Sequence, residues 1–300
     1  TKEIFDLLYP SYGDTYPTYN GAIGMTYEQA GHSRGGLAIE TEDGDTLTLL
    51  DRITHHYTTG LSTVEVASQN VNRIVDEFVK FFSEGKNNPK GEYNTFIISK
   101  SNHIDKLNDL QSWLEKNGIQ YGTASASRSY KGFNYKTGKT GSVKINVGDL
   151  VISANQSKSV LVQVLFEPQT TLRDTLTYDL TAWAIPYVYG LDAVAVKSDV
   201  KMSTAKRFVS KTEKPSGVPY AYILPWKGIW DVKFLSVLFK NDVVVRVTEE
   251  PFELNGKTFD SGTLVITRKG NEKLGKNFDH IIQKTALENH RNLTVASTGF

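Results

Sequence analysis

The chain contains no cysteine, which removes disulfides, thiolate metal sites and cysteine nucleophiles together. That absence leaves the compartment open, since disulfide-free proteins occur on either side of a membrane. Neither sign of charge dominates: 34 Lys and Arg face 33 Asp and Glu, for a net +1. Composition therefore gives no electrostatic reason to expect nucleic acid or an anionic membrane as a partner. No apolar run approaches the roughly 20 residues of a membrane-spanning helix. The six histidines are His32, His55, His56, His103, His280 and His290, and none begins a His-x-x-Glu pair. Adjacent His55 and His56 diverge on either a helix or a strand, so one metal ion would hardly collect both.

The chain's 300 residues are ordinary for a globular protein, 39% apolar and 22% charged, and their number suggests about two domains. The most informative stretch runs from Tyr9 to Gly36, YPSYGDTYPTYNGAIGMTYEQAGHSRGG. Its centre, Ala22 to Gln29, alternates as a strand does, with Ile23, Met25 and Tyr27 on one side and Gly24, Thr26 and Glu28 on the other. Two small residues in front of a carboxylate suit a general base over a cleft. The same pattern also fits a solvated glutamate near the end of an edge strand.

This stretch resembles the last part of the catalytic domain of zinc carboxypeptidases of the carboxypeptidase A type. Large bacterial members are the most similar, with a "YGD" and aromatics ahead of "GAIGMTYEQA". The resemblance implies that Glu28, in Thr-Tyr-Glu-Gln, activates a zinc-bound water. It implies a role in substrate binding for the region of Tyr9, Tyr12 and Asp14, with a peptide as the substrate. It also implies a secreted or periplasmic location. The family holds zinc with a His-x-x-Glu pair and a later His, all ahead of the base, leaving a position for water. The sequence is therefore expected to begin inside a catalytic domain, after its metal site. Zinc is expected in the complete protein and not in this chain, and residues 1–85 are expected to need a cover from the missing N-terminal portion or another chain.

After Glu28 the residues His32 to Gly36 read as a loop, and Leu37 to Leu50 as a hairpin turning at Asp43-Gly44. Ser62-Thr63-Val64-Glu65 has capping-box spacing and predicts the start of a helix carrying Val64, Ala67, Val71, Ile74, Phe78 and Phe81. The polar run at 86–91 reads as a linker. Beyond it, strands alternate with helices, and one unit occurs twice. LQSWLEKNGI (Leu110–Ile119) aligns with FLSVLFKNDV (Phe234–Val243), Ile145 with Phe259, and Gly148 with Gly262, each glycine ahead of a Leu-Val-Ile. Each copy reads strand, helix, strand, hairpin, strand, helix. Residues 95–166 and 221–284 are expected to superpose, with both Leu-Val-Ile strands inside one shared sheet covered by helices.

Residues 92–300 resemble the amidotransferase-like domain appended to some of these carboxypeptidases, related in fold to class I glutamine amidotransferases. The fold class expected is thus α/β: the end of a carboxypeptidase-like domain (1–85), then a flavodoxin-like or amidotransferase-like domain with an internal repeat. Amidotransferase chemistry needs a cysteine, so it does not carry over. The turn at Ser153 lacks the glycines of a serine nucleophile elbow. Between the copies, TYDLTAWAIPYVYGL carries Tyr178, Trp183, Tyr187 and Tyr189. It reads either as a sugar- or peptide-binding groove or as packing between the copies. Two sequons, at Asn155 and Asn292, would be idle in a bacterial protein. Two functions stand: part of a zinc-dependent carboxypeptidase-like hydrolase with Glu28 as base, or a noncatalytic peptide- or carbohydrate-binding scaffold.

Overall fold

The computed structural model describes residues 9–28, 37–171, 183–209, 212–215 and 219–299. It is a mixed α/β chain of two compact units, Thr1–Ser99 with Leu114–Lys206, and Lys100–Trp113 with Arg207–Phe300. The loop expected at 32–36, Gln29 and the aromatic run through residue 182 lie outside the described residues.

In the first unit a short helix, α1 (Thr15–Thr18), precedes the hairpin β1 (Ala38–Glu40) and β2 (Thr46–Thr48). The hairpin turns where the sequence places it, with Gly44 at φ +82°. Leu49 then opens helix α2 (Leu49–Gln69), followed by α3 (Val71–Asn87). The helix start expected at Ser62–Glu65 is a correction. The Thr48 hydroxyl accepts from Asp51 N at 3.2 Å while Asp51 Oδ2 accepts from Thr48 N at 2.9 Å. This box begins the helix one element earlier, and Thr63 then lies within α2, donating back to the Thr59 carbonyl. The expected linker is no free tether. Gly85 is buried in α3 where a Cβ would stand 3.1 Å from Ser159, and at Gly91 a Cβ would meet the Gln163 amide at 2.3 Å.

The strands that follow are β3 (Thr95–Ile98), β4 (Gly122–Ala124), β5 (Arg128–Asn134), β6 (Lys139–Ile145), β7 (Leu150–Ser153), β8 (Ala193–Val196) and β9 (Met202–Thr204). They form one sheet in the order β6-β5-β8-β3-β7-β4-β9. Helix α4 (Ile104–Lys116) links β3 to β4, α5 (Ser159–Phe166) follows β7, and α6 (Ile185–Val188) precedes β8. Residues 104–113 of α4 belong to the second unit and its last turn to the first. Ile97, Val151 and Val196 on neighbouring strands pack with Ile145 into one buried cluster. Burying one such aliphatic side chain contributes about 1.5–3 kcal/mol.

The second unit contains β10 (Ala221–Leu224), α7 (Ile229–Lys240), β11 (Arg246–Val247), β12 (Phe252–Leu254), β13 (Lys257–Phe259), β14 (Leu264–Thr267), α8 (Phe278–Glu288) and β15 (Thr294–Ala296). Its main sheet runs β11-β14-β10-β15. Strand β10 divides its side chains by the pleat. Tyr222 and Leu224 meet Phe234, Leu238, Phe278 and Ile282, while Ala221 and Ile223 meet Phe259 and Phe252. Tyr222 is fully buried, and its hydroxyl donates to Asp279 and accepts from Gln283. Burial, aided by the Asp279 bond, pushes its pKa up to about 12.

The repeat is visible in topology. Order β4-β7-β3-β8 in one sheet matches β11-β14-β10-β15 in the other, strand for strand. Gly148 (φ +88°) donates to the Ala124 carbonyl and Gly262 (φ +83°) to the Thr248 carbonyl, so the two glycines occupy equivalent turns. Two expectations are corrected. The Leu-Val-Ile strands lie in two sheets, because each copy ends in its own strand, β8 or β15, that pairs beside β3 or β10. The described pairings are also antiparallel, where a flavodoxin-like sheet has parallel neighbours. Strands β3 and β4 do run parallel to each other, but β7 lies between them and opposes both.

Candidate functional site

Residues 9–28 gather the four side chains singled out in the sequence into one segment of the first unit. Asp14 caps α1, its Oδ1 accepting from Thr15 N at 2.8 Å. Its other carboxylate oxygen accepts the Thr26 hydroxyl. That bond, first among the causes, holds the Asp14 carboxyl below the usual carboxylate range. The buried Thr15 hydroxyl donates to the Tyr9 carbonyl. The Tyr9 ring meets Tyr12 edge-on at 5.3 Å and Trp183 at 6.3 Å. Tyr16 donates to Asn117 Oδ1 and Asn20 accepts from Lys158 Nζ, both at 2.7–2.8 Å, which ties the segment to the rest of the unit.

The alternation read at Ala22–Gln29 survives, although the strand does not. Ile23 to Glu28 has no regular secondary structure and joins no sheet among the described residues, so it has no ladder to make it a strand. Side chains hold it instead. Gly24 N donates to Thr18 Oγ1 at 3.1 Å, and Thr26 donates to Asp14. Gly24 and Thr26 thus face α1, while Ile23 and Met25 turn into a groove and Tyr27 reaches Thr63 on α2 at 2.8 Å. Glu28 follows two residues after Thr26, within about 7 Å along extended chain. It is exposed and makes no hydrogen bond among the described residues.

Gly24 has no room for a side chain. A Cβ there would sit 2.0 Å from the Asp14 carbonyl oxygen and 2.2 Å from Thr18 Oγ1. Gly24→Ala is expected to break the Asp14–Thr26 bond and to destabilise the segment by about 1–3 kcal/mol. Hydrogen exchange should then quicken at residues 14–26 while the strands β3 and β7 keep their protection. Unchanged exchange at 14–26 would show that the segment is not held this way.

The groove beside this segment has a volume of about 1110 Å³ and is lined by Ile23, Met25, Val66, Ile74, Phe78 and Phe81. Arg73, Glu77, Lys80 and Glu84 stand around it, with Lys80 between the two glutamates at 3.7 and 4.0 Å. On α2, Leu50, Ile53, Tyr57, Leu61 and Val64 recur by three and four and are all exposed. One residue was not legible in the sequence. Arg52 on α2 is buried, and its Nε and Nη2 have no hydrogen-bond partner among the described residues. Its position, off the apolar stripe, reads as a solvated arginine and carries no sign of burial.

A zinc ion would need three protein ligands with a position left for water. No group of three or more His, Cys, Asp or Glu side chains able to hold a metal occurs among the described residues. The described residues therefore do not fit a zinc site by themselves. Ser153 Oγ accepts from Asn155 N in its turn. Comparison with protein-family models, curated proteins and solved structures finds no match to this chain.

Proposed function

We propose that residues 9–28 carry part of the active site of a zinc-dependent carboxypeptidase-like hydrolase, with Glu28 as its general base. The observation that carries this reading is the pair of locks, Asp14 to Thr26 and Thr18 to Gly24, that holds the chain leading to an accessible carboxylate. In this reading Glu28 takes the proton of a water whose oxygen attacks the carbonyl of the last peptide bond. When the C–N bond breaks, Glu28 returns that proton to the leaving amine. Tyr9, Tyr12 and Asp14 border the place where the substrate's C-terminal end would sit. Zinc would polarise the carbonyl and acidify water, held by ligands other than a cluster of the described residues. The apolar groove and the α2 stripe support a further polypeptide layer over residues 1–85, since monomers rarely expose apolar patches beyond about 300–600 Å². Residues 92–300 act in this reading as a noncatalytic domain.

The same groove favours a second reading, a noncatalytic scaffold that binds apolar peptide segments. Turnover separates the two. In the full-length protein, Glu28→Gln should leave folding and zinc content unchanged and lower hydrolysis of a C-terminal peptide substrate by about 10²–10⁴. Near-normal turnover in that variant removes Glu28 from the mechanism. Peptide binding with no hydrolysis by the unaltered protein supports the scaffold.

A further inference from the structure

Helix α7 has two apolar faces, and the fold of its unit uses one of them. Phe234 and Leu238 are buried against the sheet and α8, with Leu235 packed beside them. On the outer side, Ile229, Val232 and Phe239 recur with helical spacing and are 73%, 42% and 56% exposed. Trp226 and Trp230 are exposed at the N-terminal end of the helix, Trp230 on its flank about 100° round the axis from Ile229. A surface helix ordinarily turns charged and polar residues outward, so this second stripe calls for a partner.

The charge on that face has one sign. Lys233 and Lys240 are exposed on α7, and Lys227 precedes it. Lys233 Nζ lies 5.8 Å from the centre of the Trp230 ring. Among the described residues neither Lys233 nor Lys240 pairs with a carboxylate, and Lys227 reaches Asp260 only at 3.8 Å. The one acid of α7, Asp231, is turned inward to Arg291 and to the amides of Lys227 and Gly228. Two acids lie close by. Asp109 accepts the Trp230 indole N–H at 2.7 Å, and Asp242 is exposed just beyond the helix. The helix face itself is apolar and cationic.

We infer that the outer face of α7 docks on an anionic lipid surface. The helix has 12 residues and so is about 18 Å long, too short to span a bilayer but long enough to lie in its interface. Ile229, Val232 and Phe239 would enter the boundary between headgroups and acyl chains. The lysine stems would lie along the apolar layer with their ammonium groups among the phosphates. The net charge of +1 hides this face because it averages over the whole chain.

The test is flotation of the full chain with vesicles of phosphatidylcholine alone or mixed with phosphatidylglycerol, at low and high salt. Binding is expected on the anionic vesicles only, falling with salt, with a blue shift of tryptophan emission. Ile229→Glu with Phe239→Glu should abolish it, and Lys233→Glu with Lys240→Glu should weaken it by about tenfold or more. All four positions are exposed, so circular dichroism and melting should match the unaltered protein. No flotation with anionic vesicles, or equal flotation of the Ile229→Glu, Phe239→Glu protein, overturns the inference. So does self-association that depends on Ile229 and Phe239 without flotation, which would make the face a contact between proteins.

Discussion

Asp231→Ala should destabilise the second unit by about 3–5 kcal/mol, the usual cost of leaving one member of a buried ion pair alone. Asp231 is 1% exposed and Arg291 5%. Asp231 Oδ1 accepts from Arg291 Nη1 at 3.0 Å, and its Oδ2 accepts from Lys227 N at 2.6 Å and Gly228 N at 3.0 Å. The same guanidinium nitrogen reaches Asp105 Oδ2 at 2.5 Å. Burial alone would lower the Arg291 pKa, yet the hydrogen bond and charge of Asp105, with those of Asp231, raise it. One substitution thus removes a helix cap and half the counter-charge of a buried cation. Urea unfolding followed through Trp226 and Trp230 would measure the loss. Adding Arg291→Met should restore part of it, because the uncompensated charge is then gone. A loss under about 1 kcal/mol would mean that water or rearrangement satisfies Arg291 and that the pair is not structural.

Arg52→Leu should act in the opposite direction and stabilise the first unit by about 1–3 kcal/mol. Nε and Nη2 form one edge of the guanidinium, the pair of donors that a carboxylate would meet. Both are buried without an acceptor among the described residues. Its neighbour Asp51 is already engaged, accepting from the Thr48 amide and hydroxyl at 2.9 and 2.6 Å. Buried donors without an acceptor pay desolvation with no return, so an apolar side chain of similar reach removes a cost. Chemical denaturation of the two proteins decides the sign. A fall in stability would show that the guanidinium meets an anion in solution.

The contrast between these two arginines shows where sequence patterns stop being informative. Nothing in the spacing of Asp105, Asp231 and Arg291 announces a network, since 186 residues separate its outer members. Arg52 sits in an amphipathic helix like any solvated arginine, and only packing buries it. The helix start was misplaced for a related reason. Thr48-x-x-Asp51 and Ser62-x-x-Glu65 have the same local chemistry, and the choice went to the box next to the hairpin that ends at Thr48. The strand expected at Ala22–Gln29 had the right period but no neighbour to pair with among the described residues, and pairing is a tertiary event.

By itself the sequence determined the local code and the repeat. The alternation at Ile23 to Tyr27, the turn at Gly44 and the paired turns at Gly148 and Gly262 follow from side-chain period and from glycine's access to positive φ. The continuous Leu-Val-Ile runs also fixed their own burial, being apolar toward both faces. Only the tertiary structure decided how strands were shared. It inserted β7 between β3 and β4, gave each copy a last strand of its own, and so made two antiparallel sheets where one was expected. It also decided which apolar faces stay uncovered, on α2 and α7. Hydrophobic pattern requires that a face be covered but does not name the cover, because apolar burial carries no direction.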